Sequence, residues 1–249
     1  MLHTRVVTVF AWALLTVCPA LAAAQQPSPD FLFGRPKGMI GFRSGWMFAS
    51  TNSDLFEFVQ KELTVDGGDF NAPAIGVDVE IAATPRVSAL AGFEFARGST
   101  NSEYRDFVDN NRLPITQTSR LTETNFNAGI KLALTPRGRE ISSRAWIPAA
   151  VTPYVGAGAG ILKYEFLQFG DFIDVNTVNL DIFPATLRSS SWTPSAHIFG
   201  GVDVRVWHRM YISGEARYVW ADATPNNDFA GKPLDLAGLK TTAGIHYLF

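Results

Sequence analysis

Apolar side chains alternate with small or charged side chains along most of the chain after Met39, which is the period-2 pattern of strands with two different faces. The clearest run, residues 74–83, reads AIGVDVEIAA, with aliphatic side chains at its odd positions and Gly76, Asp78 and Glu80 between them. Eight such runs follow one another: GMIGFRSGWMFA, AIGVDVEIAA, VSALAGFEFA, TNFNAGIKLAL, TPYVGAGAGILKYEF, AHIFGGVDVRVW, YISGEARYVWA and LKTTAGIHYLF. We therefore predict eight β-strands.

The fifth run is the least regular of the eight. Its three glycines, at positions 156, 158 and 160, share a parity with Tyr154, Leu162 and Tyr164. We assign the glycines to the more crowded face of the strand and expect the alternation to shift near Lys163, at a β-bulge.

The links between the runs alternate in length. Those after the second, fourth and sixth runs are short or of middle length: TPR, about residues 135–149, and WHRM. Those after the first, third, fifth and seventh runs are long: about 50–71, 99–117, 167–191 and 222–237. This alternation puts every long loop at one end of an up-and-down sheet, and closure of eight strands removes both sheet edges. The predicted fold is all-β, an eight-stranded antiparallel up-and-down barrel.

The alternation does not by itself tell which face meets water, because a soluble barrel would turn the same apolar side chains inward. The polar face combines Gly, Ser and Asn with charges of both signs, which suits a narrow lumen better than a solvated surface. Its charges are balanced, five carboxylates against five cations: Asp78, Glu80, Glu94, Asp203 and Glu215, and Arg43, Lys131, Arg205, Arg217 and Lys240. We predict that these ten side chains form a charge network inside the barrel.

The lengths and ends of the runs favour a membrane. Runs of about 9–11 residues suffice for a strand tilted by ~45° to cross the hydrocarbon layer. The apolar faces of the readable runs carry no charge, and a lipid-facing Lys or Arg would cost ~2–4 kcal/mol there. These faces end in aromatic residues, where interfacial girdles would lie: Trp46, Phe48, Phe95, Tyr218, Trp220, Tyr247 and Phe249. The barrel is thus predicted to be transmembrane.

The N-terminal segment is typical of a secretory signal peptide. Arg5 precedes the apolar run VVTVFAWALLTV, and the small residues of ALAAAQQ offer cleavage after Ala22 or Ala24. The predicted organisation is a signal peptide (1–24), a Pro- and Gln-rich linker (25–38) and one barrel domain (39–249). Cys18 is the only cysteine, so the exported chain has no disulfide, and the net charge of -2 gives no basic footprint for nucleic acid.

The last strand carries a recognisable motif. Thr242, Gly244, Tyr247 and Phe249 form a pattern that resembles the C-terminal assembly signal of bacterial outer-membrane barrels. Together with the eight runs, it makes the chain similar to small OmpA/OmpW-like outer-membrane β-barrel proteins over about residues 37–249. TPYVGAGAG and YISGEARYVW also look like strands of that superfamily. The resemblance implies a place in the outer membrane, contact with its lipids, and recognition of the last strand by the barrel-insertion machinery through Tyr247 and Phe249.

Candidate catalytic and metal-binding side chains are few. A hydrolytic site needs a nucleophile near a base that a carboxylate holds. His208 and Ser213 lie at an odd offset, which sends two side chains of one strand to opposite faces, and the His-x-Ser spacing of the barrel deacylases is absent. His197 and His246 share the inward parity, but their strands are separated by the seventh, and no third ligand has a suitable spacing. We expect a turn position for His208 and no catalytic residue, metal or cofactor.

The leading hypothesis for function is a non-enzymatic structural or surface protein, a monomeric barrel whose charged lumen is closed. A narrow channel for small or apolar molecules and a lipid A-modifying enzyme are the alternatives. The loop segments SDLFEFVQKEL and FGDFIDVNTVNLDIF contain more apolar residues than solvated loops need. They either bind an unidentified partner, fold over the mouth of the barrel or extend its strands beyond the membrane, and strand extension is the favoured interpretation.

Overall fold

A closed barrel of eight antiparallel strands dominates the computed structural model, which describes residues 31–109, 111–142, 144–174 and 181–249. The strands are β1 (Gly38–Ala49), β2 (Ala72–Ala82), β3 (Val87–Val108), β4 (Pro114–Ala133), β5 (Val151–Ile173), β6 (Ile182–Trp207), β7 (Met210–Trp220) and β8 (Gly238–Leu248). Each strand pairs with its neighbours in the chain, and β8 pairs with β1 to close the ring, Thr241 opposite Trp46. The predicted up-and-down barrel is confirmed.

Shorter elements occupy the two ends of the barrel. The turn end carries the links 83–86, 134–150 and 208–209, and there Leu32–Phe33, Ala145–Pro148 and Gly138–Ser142 form a three-stranded sheet. The loop end carries helix α1 (Asp54–Glu62), 3-10 turns at Gly67–Phe70 and Asn227–Phe229, and the paired segments Asp222–Ala223 and Leu234–Asp235. None of the helices in the described part of the chain is long and apolar enough to cross a membrane.

The described residues leave out one predicted segment and part of a second. The signal peptide (1–24) and the first part of the linker lie outside the described residues. Within the rest of the predicted linker, Leu32 and Phe33 pair with Trp146 and Ala145 in the small sheet of the turn end.

The apolar parity of the strands faces outward. Phe42 and Ile130, for example, are 52% and 61% exposed, whereas Arg43 and Lys131, their neighbours in the sequence, are buried. The same outward exposure holds for Ile75, Val77, Val79, Ile81, Phe126, Ile161, Ile198, Ile212 and Ile245. A continuous apolar surface of this kind requires hydrocarbon around it. The barrel is therefore a transmembrane barrel, as the sequence predicted.

Four of the strands are twice as long as the others. β3 to β6 contain 22, 20, 23 and 26 residues, whereas β1, β2, β7 and β8 contain 11 or 12. The predicted long loops at 99–117 and 167–191 are wrong, because strands cover most of both stretches and only residues 109–113 and 174–181 separate them. The favoured interpretation, strand extension, is confirmed for the described part of FGDFIDVNTVNLDIF.

The polarity of the two faces inverts where β5 leaves the apolar belt. Along β5, the inward positions 156, 158 and 160 are glycines, and the next inward side chains are the buried Leu162, Tyr164 and Phe166. Outward, Ile161 is followed by Lys163 and Glu165. The bulge predicted near Lys163 is wrong, since pairing with β4 and β6 is regular through this region. The polarity of the faces therefore changes without a change of register, because the outer face of β5 passes from lipid into water.

An apolar core fills the loop end of the barrel. Helix α1 has its apolar side chains on one face, carries Asp54 and Glu57 in its first turn and Lys61 in its last, and so complements its own dipole. Its buried Leu55, Phe56 and Val59 pack with inward side chains of β4 and β5. Strand extension, the favoured interpretation, is therefore wrong for SDLFEFVQKEL. This segment folds into the mouth as a helix, because its apolar positions recur at helical rather than strand spacing.

Candidate functional site

The lumen in the membrane-spanning part of the barrel is filled by charged side chains. They come from inward positions of all the strands except β5, together with one arginine from the link between β4 and β5. All the predicted carboxylates are buried. Charges removed from water in this way must be paired and hydrogen-bonded, and the pairs form three successive groups along the barrel axis.

The group nearest the turn end is centred on Lys131. Its Nζ lies 3.0 Å from Glu80 Oε2 and 2.7 Å from Asp203 Oδ2. The same ammonium group lies 3.7 Å from the centroid of the Tyr154 ring, a cation–π contact. Arg137, from the link between β4 and β5, pairs with the second oxygen of Glu80. Two cations thus neutralise two carboxylates, and an aromatic face covers one of the cations.

The middle group is centred on Arg43, whose guanidinium contacts three carboxylates. Nε lies 2.8 Å from Asp78 Oδ1, Nη1 donates to Glu215 Oε1 at 2.6 Å, and Nη2 donates to Glu94 Oε1 at 3.3 Å. The other oxygen of Asp78 lies 3.3 Å from His246 Nε2. The planar fork of arginine, with five N–H donors, suits this arrangement better than a lysine would.

The group nearest the loop end contains Arg217 and Lys240. Arg217 lies 3.2 Å from Glu94 and 2.9 Å from Glu215, so both carboxylates also belong to the Arg43 group. Lys240 Nζ lies 3.3 Å from Glu123 Oε2 and 3.6 Å from Glu94 Oε2. The middle and loop-end groups therefore form one connected network.

The inward glycines make room for bulky neighbours in this network. A Cβ at Gly156 would collide with the Phe199 ring, over which the Arg217 guanidinium lies 4.8 Å from the centroid. A Cβ at Gly41 would collide with the imidazole of His246. An eight-stranded barrel has space only for side chains in its interior, and glycines opposite large groups are one way to fit them.

The structure brings together nine of the ten predicted lumen charges in ion pairs and leaves one apart. The exception is Arg205, which faces the turn end and whose buried Nη1 has no hydrogen-bond partner among the described residues. Sequence reasoning missed Glu123 and Arg137. Extension of the polar parity from Asn125 and Asn127 would have found Glu123, but no periodic signal marks Arg137, because it comes from a link.

The four residues of the C-terminal motif lie on β8 and just beyond it. Tyr247 and Phe249 are exposed on the outer face of the barrel, and Phe249 is tied to β1 by a hydrogen bond from its N–H to the carbonyl of Gly38, 2.9 Å. Thr242 and Gly244 lie at inward positions of β8. A Cβ at Gly244 would approach the Arg43 side chain within 2.8 Å, so this glycine also has a packing role.

The histidines are placed as follows. His208 lies in the turn between β6 and β7, while Ser213 is buried at an inward position of β7. His197 is on β6 and His246 on β8, with β7 between them. Within the described ranges, no three His, Cys, Asp or Glu side chains are grouped as metal ligands.

The closed ring of strands and its apolar belt define a small transmembrane barrel of the outer-membrane class. Among solved structures, the chain is similar to neisserial surface protein A, with a TM-score of 0.50 and 10% identity over 85% of this chain and 96% of the other. It also matches OprG from Pseudomonas aeruginosa (TM-score 0.47, 11% identity, 88% and 99% covered) and Ail from Yersinia pestis (0.41, 12%, 86% and 99%). No family model and no curated protein matches the chain. The likeness to neisserial surface protein A shows the fold, and with the apolar belt it supports the predicted outer-membrane location.

Proposed function

We propose that the protein is a non-enzymatic structural or surface protein of the outer membrane whose lumen is closed to ions. The observation that carries the proposal is a pair of ion bridges between opposite walls of the barrel. In the ring of eight strands, β7 lies four places from β3, and β8 lies four places from β4. Arg217–Glu94, at 3.2 Å, and Lys240–Glu123, at 3.3 Å, therefore each span the lumen along a diameter.

Most of the other pairs also join strands that are not adjacent. The exceptions among the strand residues are Arg43–Asp78, between the neighbouring β1 and β2, and Arg217–Glu215, within β7. Arg43 of β1 contacts Glu94 of β3 and Glu215 of β7, and neither strand is adjacent to β1. Lys131 of β4 contacts carboxylates of β2 and β6, which are not adjacent to β4. A hydrated ion could pass only if several of these contacts opened together. Separating one buried pair costs about 3–5 kcal/mol, so the open state would be rare.

Apolar clusters lie on either side of the charged section. At the loop end, the core formed with α1 occupies the mouth. At the turn end, Leu32 and Trp146 of the small sheet pack with Met39, Tyr211 and Leu248. Both ends thus support a closed lumen independently of the ion pairs.

Planar-bilayer recording tests the closed lumen. The purified protein should show no steady conductance, whereas Arg217→Ala combined with Glu94→Ala should add a measurable leak because it removes a bridge between opposite walls. Arg188→Ala with Glu165→Ala is the matched control, since that pair lies on the outer surface of the barrel. Reproducible, ion-selective steps from the unaltered protein would contradict the proposal.

A narrow channel is the second candidate, and a cavity at the turn end favours it. This cavity measures about 120 Å³, enough for a few waters, and its lining includes Tyr211 together with Arg137 and Asp203 of the turn-end group. It would serve as the inner vestibule of a pathway that opens when the ion pairs rearrange. The same recordings decide between the two candidates.

We also propose that the barrel-insertion machinery recognises β8 through Tyr247 and Phe249. Both side chains point away from the lumen, where another protein can reach them before the barrel enters lipid. The proposal rests on the resemblance of the C-terminal motif and on this exposure.

A further inference from the structure

A cluster of cations and hydroxyl groups lies on the outer face of β3, β4 and β5, just beyond the apolar belt. The paired positions Phe95, Thr124, Lys163 and Trp192 form one row across β3 to β6, and Arg97, Thr122, Glu165 and Ser190 form the next row toward the loop end. Odd residues of β3 and β5 and even residues of β4 point outward here, so these side chains share one surface.

Arg97 and Lys163 flank the two threonines of this surface. Their strands are separated by β4 alone, which puts the backbones about 10 Å apart at the usual strand spacing. Two long cationic side chains can close that gap around a group the size of a phosphate, with the Thr122 and Thr124 hydroxyls below it as further donors. No ion pair of Arg97 or Lys163 is found among the described residues, and the nearby Glu165 is already paired with Arg188.

A third cation lies one row further from the belt. Arg120 is the outward residue of β4 next to Thr122, and its guanidinium lies 5.3 Å from the centroid of the Phe169 ring. Its Nε is buried and has no hydrogen-bond partner in the described structure. The cluster therefore holds three positive charges that no carboxylate described here neutralises, one of them with an unused donor.

The level of the cluster indicates what it binds. Phe95 and Trp192 share the row of Thr124 and Lys163, and Lys163 Nζ lies 5.8 Å from the centroid of the Trp192 ring. The next outward row away from the loop end carries Phe126 and Ile161, which are exposed on the apolar face. On the short strands, outward positions near the loop end carry aromatic side chains, such as Trp46 and Trp220. Cations at the edge of the hydrocarbon belt match the position of anionic headgroups.

We infer that Arg97, Arg120, Lys163, Thr122 and Thr124 form a binding site for the phosphorylated headgroup of a lipid in the leaflet at the loop end. The site fixes one lipid against the β3–β5 wall. The inference rests on the membrane placement of the barrel and not on the closed lumen, so a conducting barrel would leave it intact.

Native mass spectrometry of the full-length mature protein, released from detergent with added phosphatidic acid, tests the site. Arg97→Gln with Lys163→Gln should lower the affinity for the bound lipid about 30-fold. Each cation near anionic headgroups contributes about 1 kcal/mol, and the loss of two corresponds to this factor. Arg112→Gln with Arg139→Gln removes the same charge from exposed positions elsewhere and should leave lipid binding unchanged. Thr122→Val with Thr124→Val should weaken binding less than the double Gln variant does.

Three results would overturn the inference. Equal loss in the two double Gln variants would mean that only net charge matters. Equal retention of phosphatidylcholine would mean that the anionic phosphate is not what is recognised. Displacement of the lipid by inorganic phosphate at the same concentration would mean that the cluster binds the free ion and not a headgroup.

Discussion

At the scale of single residues, Glu94 contacts more cations than any other carboxylate of the described lumen network. It is buried and lies within 3.6 Å of three cations, Arg43, Arg217 and Lys240. Glu94→Gln keeps the shape of the side chain but leaves these cations short of one negative charge. We expect the free energy of unfolding to fall by about 3–5 kcal/mol, measured by urea titration in lipid vesicles with gel mobility as the readout.

The control for this prediction is a carboxylate on the barrel surface. Glu165 pairs with Arg188, but the two side chains are 32% and 58% exposed. An exposed pair of this kind contributes about 0–1 kcal/mol, so Glu165→Gln should have little effect. Similar losses in the two variants would contradict a network stabilised by burial of its charges.

The sequence predicts which side of a strand a residue occupies better than what it contacts there. Parity alone placed nine of the ten predicted charges where ion pairs form, because the two-residue period of a strand leaves only two possible faces. It could not supply Arg137, which reaches the lumen from a link, or show that Arg205 lies at the turn end away from the carboxylates of the network. Contacts across a barrel depend on strand stagger, which no single run of residues reveals.

At the scale of elements, α1 closes the loop end through its aromatic side chains. The Phe56 ring is fully buried, with its centroid 4.7 Å from that of Phe70 and 6.4 Å from that of Phe166. Phe56→Ala should cost about 3–5 kcal/mol locally. We expect the segment between β1 and β2 to become sensitive to protease while the barrel keeps its heat-modifiable mobility on gels.

Phe58→Ala is the matched control, because that ring is 40% exposed and its main described contact is Lys232, 3.8 Å from its centroid. It should leave the segment resistant to protease. Unfolding of the whole barrel by Phe56→Ala, seen as loss of amide protection in β1 and β8, would show instead that the loop-end core and the barrel are one cooperative unit.

The sequence pattern predicts the wrong bounds for the strands whose surroundings change along their length. The runs of β1, β2, β7 and β8 stop where the membrane stops, and their bounds were predicted to within about two residues. β3 to β6 continue into water, and along β5 the inner face becomes apolar and the outer face polar there. A search for one constant apolar parity therefore ends each of them too early and assigns the remainder to loops.

At the scale of the whole molecule, the two halves of the barrel bury different kinds of side chain. Its membrane half is apolar outside and ionic inside, whereas its loop-end half is polar outside and has an apolar core with α1. The outer surface of each half matches the polarity of the solvent around it, lipid in one case and water in the other. The boundary falls at the level of Ile161 and Lys163 on β5, which is also the level of the proposed headgroup site.

Spin labels along β5 test this boundary and the continuous register together. Labels at Ala157, Ala159 and Ile161 should collide with oxygen dissolved in lipid, and labels at Glu165 and Leu167 with a water-soluble nickel complex, so accessibility crosses over near Lys163. Labels at Tyr164 and Phe166 should be shielded from both reagents, because inward parity continues past Lys163. If labels at the even positions became accessible beyond Lys163 and those at the odd positions became shielded, a bulge would be present after all, and the inversion of polarity would be a change of register rather than of solvent.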